Sequence, residues 1–496
     1  MVSSEKKSGI LLGCGSVLVV MGAIMVVFWP ALFLGQLQNM MVLTPDSTSF
    51  NIWRETPIPM YLEVHMFNIT NVDDILAGKN VTLRVQELGP YVFREAHRKT
   101  NMTWNDHNST ITFYNQRYWY YEPDKSNGSL SDMITSINPI IATVAYFLRN
   151  QRSIITVPVD VFLRMYHEHL FLTANVTDWM FDGIEDPILN IASHFPDLPF
   201  TIPYDKFGWF YQRNGSVEFD GSFNMNTGAS DFSRLGNVEM WRYSPRTQFR
   251  DQCGEVMGST GELWAPEFGQ PDVKVFASDI CTYLTLGKDR DVTIEGISGV
   301  QYAANESVFD NGYKYPDKAC YCSEARDGDC LPPGALNVSE CRYGAPAFVS
   351  LPHFLYSDPY YPSKIDGLNP TEDMTFKLAL EMFTGMPLAV SAQLQINLLV
   401  RHVRGITVNN LLPDADTLVP MFWFRQEVET TPEYAALARS ALRIRYWVPY
   451  GLYALTAIGV AVLLAGIIIL TRRLLRSPET PILSEAPSQE SVLETH

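Results

Sequence analysis

The sequence has 496 residues, with 37 Lys and Arg against 54 Asp and Glu, and its formal net charge is −17. This acidic balance excludes a nucleic-acid-binding protein, which needs a basic surface to contact phosphates. Charged residues make up 18% of the chain, below the roughly 25% of soluble domains, which indicates segments that do not lie in water.

The first such segment is residues 10–34, inside a stretch without charged residues between Lys7 and Asp46. At about 1.5 Å per residue it exceeds the roughly 30 Å hydrocarbon core of a bilayer. The alternative is a cleaved signal peptide, whose apolar core is shorter and is followed by small residues. Trp29 and Pro30 stand where those small residues would be, so we predict an uncleaved transmembrane helix.

The second segment is residues 446–470, with aromatic residues at its start and three arginines beyond its end. Two lysines precede the first segment, and this bias predicts that residues 1–9 are cytoplasmic. Residues 35–445 are then extracellular or lumenal, and the tail 471–496 is cytoplasmic. Residues 133–148 are the next candidate, but they are too short to span a bilayer.

Glycosylation sequons support this topology. The chain contains nine Asn-X-Ser/Thr triplets, whereas its composition predicts about three by chance. All nine lie in the predicted outer region. Their asparagines are Asn68, Asn80, Asn101, Asn108, Asn127, Asn175, Asn214, Asn305 and Asn337.

Alternating apolar and polar residues predict strands in the outer region. One strand is predicted at 81–86 and ends at the Gly-Pro pair 89–90. A hairpin is predicted over 217–225 with its tip at 220–221. A third strand is predicted at 393–400, with one buried and one wetter face, as in an antiparallel sheet.

A helical cluster is predicted at 131–191, inserted into this mostly β region. Apolar residues recur there at helical spacing, and they are Val161, Phe162, Met165, Tyr166 and Leu170. We found no internal repeat or linker, so 35–445 is predicted to be one large domain.

Six of the seven cysteines lie in the outer region. An even number in an oxidising compartment predicts disulfides. Zinc is disfavoured, because Cys320 and Cys322 have the wrong spacing and no histidine lies nearby. Spacing alone leaves fifteen connectivities open. Cys14 lies in the first apolar segment, either as a lipidation site or as a small apolar residue. The six are Cys253, Cys281, Cys320, Cys322, Cys330 and Cys341.

Catalytic motifs such as GxSxG, HExxH or a P-loop are absent from the sequence, so we expect no enzymatic activity and no cofactor. His167 and His169 are the nearest approach to a metal pair, but on a helix they would point to different faces. A channel is disfavoured because the second apolar segment offers only Thr456 as a polar side chain. An ecto-nucleotidase is disfavoured because the sequence has none of the phosphate-binding loops that such an enzyme needs. A receptor or carrier remains.

Several motifs, in order between the two apolar segments, resemble the class B scavenger receptor family, whose members include fatty acid translocase, lysosomal integral membrane protein and croquemort. The match extends over nearly the whole chain. The motifs are 87–94 (ELGPYVFR), 220–221 (DG), 227–228 (TG), 258–261 (GSTG), 350–356 (SLPHFLY), 367–370 (GLNP), 384–385 (TG) and 393–397 (QLQIN).

The resemblance implies a mixed β and α fold: a large antiparallel β-barrel with an inserted helical cap, flanked by two transmembrane helices. It implies a cap that captures lipids or lipoproteins and an apolar tunnel that passes single lipids to the membrane. It also implies three disulfides, joining Cys253 to Cys320, Cys281 to Cys341 and Cys322 to Cys330.

In family members that resemble fatty acid translocase, the cap carries lysines that attract anionic lipids. The matching stretch here has Arg164 as its firm cation, with His167 and His169 charged only at low pH. We therefore predict a capture site made of Phe162, Arg164, Tyr166, His167 and His169, without any metal.

The sequence thus predicts a plasma-membrane scavenger receptor for fatty acids, sterols, phospholipids or lipoproteins. The alternative is a trafficking or adhesion receptor that binds a protein through its cap, in endosomes or lysosomes. The tail favours the cell surface, because Pro478 replaces the acidic residue of a lysosomal dileucine signal at 482–483. Small residues at 9, 13, 461 and 465 would allow the apolar helices to pack together, or two copies of the chain to associate.

Overall fold

A computed structural model describes residues 4–167, 169–193, 204–266, 270–322 and 330–475. Within them the chain forms two units. One is 37–437, and the other combines the described residues before 37 with those after 437. The helices are α1 (Ser4–Met41), α2 (Thr48–Arg54), α3 (Val72–Leu76), α4 (Pro139–Leu148), α5 (Ser153–Tyr166), α6 (Pro187–Ser193) and α7 (Pro432–Leu474).

The two terminal helices are long and apolar enough to cross a membrane, and each extends beyond the predicted span at both ends. They pack through glycines, but not through the predicted ones. A Cβ atom added at Gly15 would lie 2.7 Å from the backbone nitrogen of Leu463, whereas one added at Gly9 or Gly13 would meet nothing within 4 Å. Gly22, Gly459 and Gly466 also lie against the opposite helix.

Most strands of the larger unit form one sheet. In chain order the strands are β1 (Met60–Ile69), β2 (Leu83–Asn105), β3 (Thr110–Tyr121), β4 (Met133–Ile137), β5 (Phe171–Asn175), β6 (Ile184–Glu185), β7 (Lys206–Phe207), β8 (Ser222–Asn226), β9 (Val238–Trp241), β10 (Asp272–Ala277), β11 (Thr282–Ile294), β12 (Ile297–Ala303), β13 (Ala335–Asn337), β14 (Ala347–Ser350), β15 (Ile365–Asp366), β16 (Lys377–Leu380), β17 (Pro387–Arg401) and β18 (Asp416–Glu429).

The sheet runs in the order β10-β11-β12-β16-β17-β18-β1-β2-β3-β8-β9. Its neighbours along this path are antiparallel. Ser259 forms bridges to Asn237 beside β9 and to Val275 of β10, so it links the two ends of the sheet. The result is a nearly closed barrel, which confirms the predicted fold class. Gly258 is needed at this seam, since its φ is +90° and a Cβ atom would collide with the carbonyl oxygen of Lys274.

Two strand predictions need correction. β2 begins at Leu83, two residues after the predicted start, and it continues through 89–90 to Asn105. The Gly-Pro pair does not end the strand because it forms a bulge, in which two residues of β2 lie opposite His65 of β1. The predicted hairpin at 220–221 is wrong, since 217–219 form no strand. Asp220 is instead buried, where its carboxylate accepts a hydrogen bond from Arg213.

The strand predicted at 393–400 is confirmed as part of β17, but its expected wetter face is buried too. Gln395 and Asn397 are fully buried, and their partners come from the neighbouring strand β14 and from the segment after it. Asn397 donates a hydrogen bond to Ser350 Oγ, and Gln395 accepts one from the backbone N–H of His353. Polar side chains occupy this face because a protein segment supplies their partners.

The predicted helical cluster contains α4, α5 and α6, together with the antiparallel pair β4–β5. The apolar residues that mark α5 in the sequence are not the ones that it buries. Its buried residues are Thr156, Asp160 and Leu163, whereas Val161 and Met165 are 50% and 73% exposed. Leu170 is buried, but it lies after the helix has ended. α5 therefore turns a partly polar face inward and an apolar face outward.

Three disulfides link the segments after β9. They join Cys253 to Cys320, Cys281 to Cys341 and Cys322 to Cys330, the same pairs that the family resemblance implies. Cys14 has a free thiol and is exposed on α1.

Candidate functional site in a cavity between the cap and the barrel

A cavity of about 380 Å³ lies in the larger unit, and both the helical cluster and the barrel strands line it. This volume is within the range of pockets that hold small organic ligands. We call the helical cluster, 131–191, the cap. The cap contributes the apolar residues Ile140, Val144, Phe162, Ile188, Leu189 and Ile191 to the lining.

The barrel supplies an apolar wall from two neighbouring strands. Ile396 and Leu398 of β17 line the cavity, as do Phe422 and Phe424 of β18. Side chains two residues apart point to the same face of a strand, so each pair faces inward together. Trp209 extends this wall, with its ring centroid 5.1 Å from that of Phe422. Such a surface fits a hydrocarbon chain.

A second wall of the cavity is charged. Arg213 donates to Asp220 over 2.9 Å with one nitrogen, and its other terminal nitrogen lies 2.9 Å from Asp279. Arg117 Nε lies 3.2 Å from Asp220. Burial alone would raise the pKa of Asp279, but Arg213, Arg117 and Arg342 outweigh it and hold the pKa well below its usual range. Asp279 is therefore a carboxylate.

Glu95 lies in the same wall with a different environment. Its Oε2 accepts hydrogen bonds from Trp119 Nε1 at 2.9 Å and from Gln426 Nε2 at 3.1 Å. Burial raises the pKa of Glu95 and outweighs the nearby Arg117. Of the acids that line the cavity, Glu95 is thus the one that burial drives toward the neutral form.

The predicted capture residues only partly come together. Phe162 lines the cavity, and the ring of Tyr166 lies 5.0 Å from it. Arg164 Nε lies 3.3 Å from the buried Asp160, so its charge is matched within α5.

The two histidines follow α5 rather than belonging to it, and Glu168 between them lies outside the described residues. His167 is mostly buried, with Nε2 3.0 Å from Asp186. His169 Nδ1 accepts a hydrogen bond from the backbone N–H of Phe171. Within the described residues, no cluster of three His, Cys, Asp or Glu could hold a metal ion.

Sequence reasoning missed the charged wall entirely. Its residues come from β2, β3 and several loops, and each is an isolated charge in the sequence. No local spacing brings them together, and the single usable signal was the Asp220-Gly221 motif, which we interpreted as a hairpin tip.

Comparison with known proteins identifies the family. The model of the CD36 family matches residues 13–470. Scavenger receptor class B member 1 of Bos taurus is 32% identical over 466 residues, which cover 92% of this chain and 87% of that protein. Protein peste of Drosophila melanogaster is 33% identical over 417 residues, 82% of this chain and 73% of that protein. Lysosome membrane protein 2 of Homo sapiens is 29% identical, with 86% of each chain covered.

The chain belongs to the CD36 family. This membership confirms the resemblance that the sequence motifs carry. With two terminal helices able to span a bilayer, this CD36-family chain is a two-span membrane protein with a receptor role.

The sequons of this CD36-family chain differ in accessibility. Six asparagines are exposed and three are partly buried. The exposed ones are Asn80, Asn101, Asn108, Asn127, Asn214 and Asn305, and the partly buried ones are Asn68, Asn175 and Asn337. Which of them carry glycans remains a prediction.

Proposed function

We propose that the protein is a plasma-membrane scavenger receptor that captures lipids or lipoproteins at its cap and passes single lipids through the cavity to the membrane. Both termini are cytoplasmic in this proposal, and the ligands are fatty acids, sterols, phospholipids or the particles that carry them. The observation that carries it is the cavity itself, because cap and barrel line it jointly.

The exposed side of α5 supports the capture step. Ile154 and Met165 are 82% and 73% exposed, and Val157 and Val161 extend the same apolar surface. A helix with an outward apolar face and basic residues nearby is suited to insert into a lipid surface. Arg152, exposed immediately before the helix, provides a basic residue, whereas the charge of Arg164 is matched by Asp160.

The apolar wall supports the transfer step. A lipid leaving a particle for water exposes apolar area at a cost of about 25 cal/mol per Å². A cavity lined by Ile396, Leu398, Phe422 and Phe424 lowers this cost by covering the chain. No bond forms or breaks in such a transfer, so no catalytic group is needed.

Cells that express the full chain test both steps, with lipoproteins that carry one label on the protein and another on the lipid. The variant Ile396→Trp fills the cavity and should lower lipid uptake several-fold while particle binding persists. Met165→Asp places a charge on the outer face of α5 and should lower particle binding itself. Leu76→Trp, on exposed α3, is the control for an added indole.

Unchanged lipid uptake in Ile396→Trp, at normal surface expression, would contradict the transfer step. Mass spectrometry of the purified full chain gives a second test, since it should carry extractable lipid. Protein binding to the cap without any lipid would instead favour a trafficking or adhesion receptor. Hydrolysis of a lipid by the purified chain would indicate an enzyme.

A further inference from the structure

Among the residues that the structure describes, the charged side chains that line the cavity do not balance. Two of them are acids, Glu95 and Asp279. The bases are Arg117, Lys206, Arg213, Arg242 and Arg342. Lys206 forms an ion pair at 3.1 Å with Glu185, which does not line the cavity. Four arginines therefore share the wall with two acids and with Asp220 behind it.

The contacts divide these arginines into two pairs. Arg117 and Arg213 hold the buried carboxylate of Asp220. Arg342 donates to the backbone oxygen of Asp279, and it lies 3.7 Å from the carboxylate that Arg213 already contacts. Arg242 lies over the Trp241 ring, with its guanidinium carbon 4.5 Å from the centroid. Buried carboxylates thus balance the charges of Arg342 and Arg242 less than those of Arg117 and Arg213.

Hydrogen-bonding capacity remains in this wall as well. Arg213 has a side chain only 7% exposed, and its Nε is buried without an acceptor among the described residues. A buried donor without a partner is costly. A bound anion beside these guanidinium groups would lower that cost.

We infer that this wall is a head-group subsite, where the arginines bind the carboxylate or phosphate of a single-chain lipid whose chain lies along the apolar wall. The inference rests on the proposed function and narrows its ligand to anionic amphiphiles. Guanidinium groups match both anions, since each offers paired donors in a plane. The two walls adjoin, because Phe210 lies 5.1 Å from the Arg213 guanidinium and 6.5 Å from the Phe422 ring.

Photo-crosslinking of the full chain in detergent tests this subsite. The probes carry a diazirine on the same sixteen-carbon chain and end in a carboxylate, an alcohol or a lysophosphatidate. Wild-type protein should bind the anionic probes about tenfold more tightly than the alcohol, with cross-links in cavity peptides. The double variant Arg242→Gln/Arg342→Gln should lose this preference and keep its affinity for the alcohol.

Arg117 and Arg213 stay intact in this design because each holds a buried carboxylate. Arg290→Gln, on β11, is the matched control, since it removes an exposed arginine outside the cavity lining. Should the double variant fail to fold, Arg342→Lys replaces it and should reduce the preference only in part. The preference of the wild-type protein for anionic probes is measured without any variant, so it tests the subsite even if a variant fails to fold.

The outcomes separate the two proposals. A preference for the carboxylate alone or for the phosphate alone supports the subsite and identifies its anion. Equal affinity of the wild type for acid and alcohol, both cross-linked in the cavity, overturns the subsite and leaves the proposed function intact. Failure of every probe to label the cavity would remove the proposed function itself.

Discussion

Glu87 joins two segments that are far apart in the chain. Its Oε1 lies 2.7 Å from His65 Nδ1, and its Oε2 lies 2.6 Å from His353 Nε2. The other ring nitrogen of His353 accepts the backbone N–H of Asn369 at 3.0 Å, so Nε2 carries the proton and donates to Glu87. His65 stacks on Trp423 at 3.9 Å. The carboxylate of Glu87 thus connects the motif 87–94 to the motif 350–356, next to His65 of β1 and Trp423 of β18.

Replacing Glu87 by Gln should destabilise the protein. The amide offers one oxygen acceptor where the carboxylate has two, so one histidine N–H loses its partner at a cost of about 1.5–3 kcal/mol. The midpoint of thermal unfolding of the purified full chain measures this change. Glu372→Gln, at an exposed position, is the control and should leave the midpoint nearly unchanged.

The contribution of Glu87 should also depend on pH. Burial would raise its pKa, but the hydrogen bonds from His353 and His65 outweigh burial and hold it far below the ordinary value of 4.5. The folded state then binds fewer protons than the unfolded state, so this stability is complete above about pH 4.5 and declines as pH falls further. The difference in unfolding midpoint between wild type and Glu87→Gln should shrink from pH 5 to about pH 3. A constant difference would contradict the lowered pKa.

Individual residues show which side chains sequence reasoning can place. The six outer cysteines were recognisable as disulfide partners from their number and compartment, although their pairing came from the family resemblance. Arg164 was expected to be a cation available to ligands, yet Asp160 lies one helical turn before it and pairs with it. This role of Asp160 is not predictable from the sequence, because a carboxylate on an amphipathic helix is usually solvated.

At the scale of an element, α5 shows why helical periodicity predicted the helix but not its orientation. Its sequence places apolar residues on both faces, so spacing alone does not choose the buried one. The choice depends on the loop between β17 and β18. Thr156 Oγ1 donates to the backbone oxygen of Arg404, and Thr407 Oγ1 donates to Asp160. These partners lie some 250 residues away and are invisible to local patterns.

Asp160→Ala should release α5 from this loop. The carboxylate accepts hydrogen bonds from Thr407 Oγ1 at 2.6 Å and from the backbone N–H of Val408 at 3.0 Å. Both donors would lose their partner, at about 1–3 kcal/mol for each buried group. Hydrogen exchange followed by mass spectrometry should show faster exchange in 153–166 and 403–411, with the barrel strands unchanged.

Arg164→Ala is the matched control for this variant, because it removes the other member of the ion pair. Its side chain is 52% exposed, and exposed pairs contribute about 0–1 kcal/mol. We expect little change in hydrogen exchange. Equal effects of the two variants would mean that the ion pair, rather than the bonds to the loop, holds α5 in place.

The terminal helices make a second prediction at this scale. Gly15 allows α1 to approach the backbone of α7 at Leu463, and no flexible side chain can yield there. Gly15→Leu should therefore push the two helices apart. Spin labels at Lys7 and Arg472, in a background with Cys14→Ala, should report a longer and broader distance. Gly13→Leu adds the same side chain in open space and should leave the distance unchanged.

At the scale of the whole molecule, the sequence predicts those features of the fold that depend on local patterns and composition. The apolar helices, several strands and the mixed class follow from length, alternation and charge. The closure of the barrel does not, because it depends on Ser259 bridging strands that are separated in the chain. The cavity is equally unpredictable, since its two walls combine residues from the cap, the strands and the loops.

The distribution of sequons leads to the last prediction, on glycosylation. The exposed asparagines can carry a glycan without disturbing the fold, and they are Asn80, Asn101, Asn108, Asn127, Asn214 and Asn305. The three partly buried asparagines use their side-chain oxygen inside the fold. Asn68 accepts the backbone N–H of Thr135, Asn175 accepts that of Asp178, and Asn337 accepts that of Ser339. A glycan is attached to the amide nitrogen, and it would have less room at these partly buried asparagines than at the exposed ones, so we expect those sites to be unmodified.

Enzymatic removal of N-glycans in heavy-oxygen water, followed by peptide mass spectrometry, marks each occupied asparagine in protein from animal cells. We expect the mark at the exposed sequons and its absence at Asn68, Asn175 and Asn337. The same experiment tests topology, because N-glycans are added on the lumenal side. A chain without any mark would place the barrel on the cytoplasmic side and contradict the proposed receptor. A mark at Asn337 would instead contradict the argument from burial, while leaving the topology in place.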